Sequence, residues 1–289
     1  MKKIFYLICY LFFITFSAIG QDRVLTKQEK DFIKSNIVYN YAGYSFMKQN
    51  GFNKKMIDKV DTVSALFNLL DHYVDDRHFF IKIGNLGFRR QGLKYIPEIK
   101  RSKDKFETFN IVETSNTYYI RFNSSRHDWQ PYKNFPTYAE KAKEKSFIVL
   151  DARSNGGGDY QAILGFFKNL EKSKYKGKII ILQDSYSCSA GEIWHYVDMS
   201  CNNMDFQTPY KCKLDLSLVG TYSGGMSEWG YNKTYTSDDI TIILARVHWK
   251  MDKEKWQGEG KGFKPDIYTT DYKTTLENLG CDMSEIEFQ

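Results

Sequence analysis

Proline is scarce, at five in 289 residues, and neither a low-complexity tract nor a tandem repeat occurs. That composition gives no sign of a long disordered region. No block of like charge is present either. Lys and Arg total 41 against 35 Asp and Glu, for a formal net charge of +6, and the basic residues are scattered. A nucleic-acid-binding arm is therefore not expected. No two cysteines show the Cys-x-x-Cys spacing of a zinc site, so the expectation is no structural metal and no cofactor. Beyond the first twenty residues, no run is apolar enough to cross a bilayer.

Those first twenty residues differ from the rest. Lys2 and Lys3 precede an apolar run from Ile4 to Phe16, followed by Ser17-Ala18-Ile19-Gly20. A basic start, a hydrophobic centre and a small-residue end make a signal peptide over 1–20, cut near Gly20–Gln21. An uncleaved N-terminal membrane anchor is the alternative. Cys9 follows Ile8 rather than a small residue, which argues against lipidation. The expected location is periplasmic or extracellular, with no stable membrane insertion after cleavage. Export permits disulfides among Cys188, Cys201, Cys212 and Cys281. Four cysteines allow three full pairings, and Cys201 with Cys212 brackets the shortest loop.

Thr26-Lys27-Gln28-Glu29 reads as a capping box opening a helix over 26–49, with Phe32, Ile33, Ile37 and Tyr41 on one face. A second helix is expected over Val63–Val74. These form a helical cap over 21–80, followed by a linker loop over 81–104. From 105 to 289 the pattern becomes α/β. Strands are expected at Phe109–Val112, Tyr118–Phe122, Phe147–Leu150, Ile179–Leu182 and Ile240–Leu244. Helices are expected near Tyr138–Lys145, Tyr160–Leu170 and Ala190–Met199.

Three segments bear chemistry. In the first, the strand Phe147–Leu150 runs through Asp151-Ala152-Arg153-Ser154-Asn155 into Gly156-Gly157-Gly158. Glycines there turn the backbone sharply and expose N–H groups. Asp159-Tyr160 follows, in place of the Lys-Ser/Thr of a phosphate loop. In the second, Ile179–Leu182 enters Ser185-Tyr186-Ser187-Cys188-Ser189-Ala190-Gly191-Glu192. A serine at a strand-to-helix junction sits where developing negative charge is stabilised, although serines also cap helices there. The third, Trp256 to Ile267, is a glycine-rich loop that carries Glu259.

In this order the segments resemble the C-terminal-processing (tail-specific) serine peptidases. Asp151, Arg153, Asn155, Gly157 and Gly158 match that family's Asp-x-Arg-x-Asn-x-Gly-Gly turn. Ser187 to Glu192 match its Ser-x-Ser-Ala-x-Glu turn, and Gly262, Pro265, Asp266 and Ile267 match its Gly-x-x-Pro-Asp-Ile segment. The resemblance covers about 105 to 270 and reaches His78. It implies a crotonase/Clp-like ββα core with an N-terminal helical cap. It implies Ser189 as nucleophile, with the amides of Ala190 and Gly157 as oxyanion hole and Gly158 as the alternative register. The substrate would be a peptide or protein.

Two departures from the family follow. Fewer than 40 residues separate His78 from the Tyr118–Phe122 strand, too few for a PDZ domain. Met226 also stands where the family's activating Lys belongs, within Val219-Gly220-Thr221-Tyr222-Ser223-Gly224-Gly225-Met226. Met cannot take a proton. Asp75-Asp76-Arg77-His78 resembles the Asp-x-His segment of the family's other branch, which includes the tricorn core. That likeness implies His78 as general base, oriented by Glu259, with Arg77 replacing that branch's auxiliary Ser. The competing expectation is a catalytically silent member, like the retinoid-binding-protein modules, that binds peptide or apolar ligands.

Overall fold

The structure is a computed structural model describing residues 22–90, 108–192, 198–201, 210–251 and 253–288. The expected signal peptide and most of the expected linker lie outside the described residues, as do the side chain of Cys201 and hence any Cys201–Cys212 pairing.

The capping box forms as read. Thr26 Oγ1 accepts from Glu29 N at 3.2 Å, and Glu29 Oε2 accepts from Thr26 N at 2.7 Å. The helix it opens ends early: α1 spans Lys27–Asn40, and α2, Tyr44–Gln49, is separate. Tyr41 turns extended and Ala42 N donates to Ala245 O at 2.9 Å. A backbone bond to a distant strand thus replaces the next intrahelical bond, something periodicity cannot announce. Gly43 follows because a Cβ there would lie 2.4 Å from the Tyr41 ring. Two more cap helices follow, α3 (Lys55–Lys59) and α4 (Val63–Tyr73).

From residue 80 the chain makes a hairpin, β1 (Phe80–Ile83) and β2 (Leu86–Arg89), inside the stretch expected as linker. β1 pairs antiparallel with β11 (Ile240–Lys250), Phe80 opposite Ile243. The N-terminal helices therefore share one core with the far end of the chain. Ile33, Ile37, Leu66, Leu70 and Phe79 pack with Ile242 and Leu244.

The second sheet is the α/β core. β3 (Phe109–Glu113), β4 (Thr117–Phe122), β5 (Phe147–Asp151), β6 (Lys178–Gln183), β9 (Asp215–Gly220) and β12 (Ile267–Tyr268) lie in the order β12-β9-β6-β5-β4-β3. All neighbouring pairs are parallel except β3 with β4. Side chains alternate between faces with the strand period of two. Ile148, Leu150, Ile179 and Ile181 join one cluster, while Val149, Ile180 and Leu182 join the other. The first face is covered by α5 (Gln130–Lys133), α6 (Phe135–Ala142) and α7 (Gln161–Lys172), whose Ile163, Phe166, Phe167 and Leu170 are fully buried. Residues at the C-terminal end, including Leu276 of α8 (Tyr272–Asn278), cover the second. Both faces being covered explains why these strands read as continuous apolar runs.

Residues 193–197, the middle of the helix expected over Ala190–Met199, lie outside the described residues. Ser189–Gly191 is a single 3₁₀ turn, and by β7 (Asp198–Cys201) the chain is a strand pairing with β8 (Tyr210–Lys211) and with the end of β11. β7 and β8, with β1, β2, β11 and β10 (Trp229–Ser237), make up the antiparallel sheet. Among the described residues no helix is long and apolar enough to cross a membrane.

Candidate active site

Ligands of parallel α/β sheets gather at the carboxyl ends of the strands. The three adjacent strands β5, β6 and β9 deliver 152–158, 184–189 and 221–227 to that one end. Their interlocking is polar and specific. Asn155 O accepts from Cys188 N at 2.8 Å, and Asn155 Oδ1 accepts from Gly157 N at 2.9 Å. Asn155 Nδ2 donates to Ser125 Oγ and to Phe122 O. Asp151, fully buried, receives Arg153 at both oxygens together with Arg121 and the Tyr119 hydroxyl. Burial drives the Asp151 pKa up, but the arginines overcome it and hold the carboxyl below its ordinary range.

Ser189 sits at the tip of the second turn with φ 51, a left-handed conformation rare outside glycine. Such strain persists only where surroundings enforce it. The enforcing group is Glu192. Its Oε2 accepts from Ser189 N (3.1 Å), Met226 N (2.9 Å) and Ser227 Oγ, and its Oε1 from Ser223 Oγ and Gly225 N (2.8 Å). Burial pushes its carboxyl up, and the hydrogen bonds from Ser223, Ser227, Met226 and Gly225 offset part of that push. Glu192 thereby ties the Ser189 turn to the loop carrying Met226. The neighbouring thiol of Cys188 is raised to about 12 by burial, so it is not a nucleophile at neutral pH.

His78 follows α4 and is held in a short polar turn. Asp76 Oδ1 accepts from His78 N at 2.7 Å, Phe79 is buried beneath, and Arg77 donates to Gly224 O at 2.6 Å. Arg77 therefore fastens the cap onto the β9 loop. The result brings His78 Nε2 to 3.2 Å from Ser189 Oγ, across 111 positions of chain. The hydroxyl donates when the ring proton is on Nδ1.

The expected third member is placed differently. Glu259 Oε1 accepts from Glu228 N at 2.9 Å, while its Oε2 is buried without a hydrogen bond. No hydrogen bond joins it to His78. Among the described residues, the carboxylate within 4 Å of a His78 ring nitrogen is that of Asp76, with Oδ1 3.6 Å from Nδ1. Burial first, then the charges of Asp76, Glu192 and Glu228, raise the Glu259 pKa well above the ordinary range.

Of the expected oxyanion amides, Gly157 N is engaged by Asn155, whereas neither Ala190 N nor Gly158 N has an acceptor among the described residues. Pairing of Ser125 with Gly158 uses Gly157 O and Asp159 N, which leaves the Gly158 amide turned the other way. Gly157 is needed for space as well as conformation. Its φ is 96, and a Cβ would lie 2.7 Å from Ser189 Cβ and 3.1 Å from Ala190 N. Ser189 and Gly158 line a cleft of about 450 Å³, walled by Tyr160, Trp229, Tyr231 and Trp249. Among the described residues no group of His, Cys, Asp and Glu could hold a metal ion.

Asp76, Glu192 and Asn155 lie within the sequence motifs, yet the motifs alone assign them no role. An Asp two residues before a His is an Asx-turn signal, and that signal could have singled out Asp76. Apart from Ser189, the partners of Glu192 lie more than thirty residues away, beyond the reach of any local pattern.

No family model and no curated protein matches the chain. Solved structures do. A lipoprotein from Streptococcus agalactiae superposes with a TM-score of 0.50 at 12% identity, over 90% of this chain and 98% of that one. A candidate peptidase from Parabacteroides merdae ATCC 43184 gives 0.51 at 14% identity, over 89% and 97%. At such identities the likeness is one of fold.

Proposed function

We propose that this protein is an exported serine peptidase of the C-terminal-processing type, in which Ser189 is the nucleophile and His78 the general base. The observation that carries the reading is the 3.2 Å approach of His78 Nε2 to Ser189 Oγ. A nucleophile within hydrogen-bond reach of a base is the first geometric requirement of covalent catalysis. Two acceptor-free amides beside it, Ala190 and Gly158, meet the second, a place for the oxyanion. Met226 occupies the position of the family's lysine, and its amide is held by Glu192, so no Ser–Lys dyad operates. Ser-His-carboxylate chemistry takes its place, while the fold likeness to a candidate peptidase supports the coarser reading of a peptidase-like fold.

Substrate peptide lies in the cleft beside Gly158 and Trp229. Ser189 Oγ attacks the peptide carbonyl as His78 Nε2 takes its proton. The tetrahedral oxyanion is met by the two amides. His78 then returns the proton to the departing amine, leaving an acyl-enzyme that water hydrolyses by the same route in reverse. The export assignment rests on the basic-then-apolar sequence of residues 1–20.

A serine-reactive phosphonate tests this on mature protein. It should form one adduct, at Ser189, and Ser189→Ala and His78→Ala should each abolish both labelling and peptide hydrolysis. Absence of any adduct on wild type, together with ligand binding unchanged in Ser189→Ala, would move the protein to the binding-protein reading.

A further inference from the structure

We infer that Asp76, and not Glu259, is the carboxylate that positions the His78 imidazole. This rests on the reading of His78 as the base. Three buried polar side-chain atoms near the site lack any hydrogen bond: His78 Nδ1, Asp76 Oδ2 and Glu259 Oε2. Buried polar atoms are nearly all paired in folded proteins, so such orphans mark a function or an unfilled partner. The geometry decides between the two carboxylates. Asp76 Oδ1 is locked by the His78 amide at 2.7 Å and stands 3.6 Å from Nδ1. The same oxygen thus holds the backbone of His78 and faces its ring. Catalytic hydrogen bonds are often long before substrate binds and tighten afterwards, so a small rotation of the ring completes this one. Glu259, by contrast, spends Oε1 on the Glu228 amide and makes no bond to His78.

The charges around the pair are consistent with that division. Asp76 is fully buried. Facing it are Tyr41 from the end of α1 and Glu259 from the loop before β12, with Asp75 beside it in the chain. Burial and then Asp76 raise the Tyr41 phenol well above its ordinary pKa, and burial with Asp76, Glu192 and Glu228 does the same to Glu259. Burial also raises the pKa of Asp75. The cation of this turn, Arg77, is directed to Gly224 O and so does not answer the His78 ring. Burial first, then its acidic neighbours, disfavour the charged form of Glu259 that would stabilise an imidazolium.

The test compares Asp76→Asn and Glu259→Gln in the full mature protein. Asp76→Asn should slow phosphonate labelling of Ser189 and lower kcat by roughly 10³–10⁴-fold with KM little changed, as loss of an orienting carboxylate does in a triad. Glu259→Gln should lose less than tenfold. Asp76→Glu, which keeps the charge, should recover part of the rate. Proton NMR gives a readout independent of activity and of how Asp76→Asn folds. The protonated His78 ring should show a strongly downfield Nδ1–H resonance in wild type and in Glu259→Gln. Loss of that resonance in Glu259→Gln, or near-normal labelling by a folded Asp76→Asn, overturns the inference. If wild type shows the resonance but no phosphonate adduct, the peptidase reading fails while the positioning of His78 by Asp76 stands.

Discussion

Glu259 shows at the residue scale how burial sets chemistry. Its carboxylate is shut in beside Asp76, Glu192 and Glu228, so its pKa is raised well above the ordinary 4.5. An acid whose pKa is higher folded than unfolded binds more protons in the native state. Its contribution is therefore complete below about pH 4.5 and is lost as pH rises through the folded pKa. Glu259→Gln removes the titration. The variant and wild type should show equal stability in acid, with the variant gaining up to about 1.4 kcal/mol per pH unit as pH rises. Urea unfolding midpoints between pH 4 and 9 measure this. A midpoint difference that is constant with pH would show that Glu259 does not titrate on folding.

At the scale of elements, the decisive contacts join loops rather than helices or strands. Glu192 gathers Ser189, Ser223, Gly225, Met226 and Ser227, so the β6 and β9 loops behave as one unit. Glu192→Gln should break it. An amide nitrogen at either oxygen's position meets a backbone N–H, from Gly225 on one side or from Ser189 and Met226 on the other. Each stranded buried donor costs about 1–3 kcal/mol. The variant should unfold at clearly lower urea and label slowly at Ser189, because the strained φ of 51 loses its support. Unchanged labelling would show that the turn holds its shape without this carboxylate. Glu192 is turned inward against three backbone amides, and the segment from Asp198 is drawn into strand pairing.

The whole molecule depends on the cap and the antiparallel sheet sharing one core. Phe79, fully buried, meets the rings of Tyr41 and Phe88 and follows directly after His78. Phe79→Ala should cost about 3–5 kcal/mol and should also slow Ser189 labelling, since His78, the proposed base, sits on the same turn. Thermal unfolding with parallel labelling separates the two effects. A destabilised variant with wild-type labelling would mean that His78 is held by Asp76 and Arg77 alone.

The amino-acid sequence by itself determined the repeated strand–turn–helix units, the helix α4, and the turns at Asp151–Gly158 and Ser187–Glu192 that build the candidate site. These are legible because apolar period, capping residues and glycine turns are local properties, written within a few residues of where they act. Candidate partners such as His78 and Glu259 came from family resemblance and not from any local pattern. Tertiary structure alone decided what lies beside what. It set His78 3.2 Å from Ser189, broke the first helix at Tyr41 to bond Ala245, and paired the hairpin after His78 with β11. It also put Asp76 rather than Glu259 against the ring. The first three outcomes depend on hydrogen bonds and buried surface shared by segments more than a hundred residues apart, whereas Asp76 lies only two residues before His78. Only the two carboxylates on the Asx turn and the far loop, placed side by side, show which one faces the imidazole.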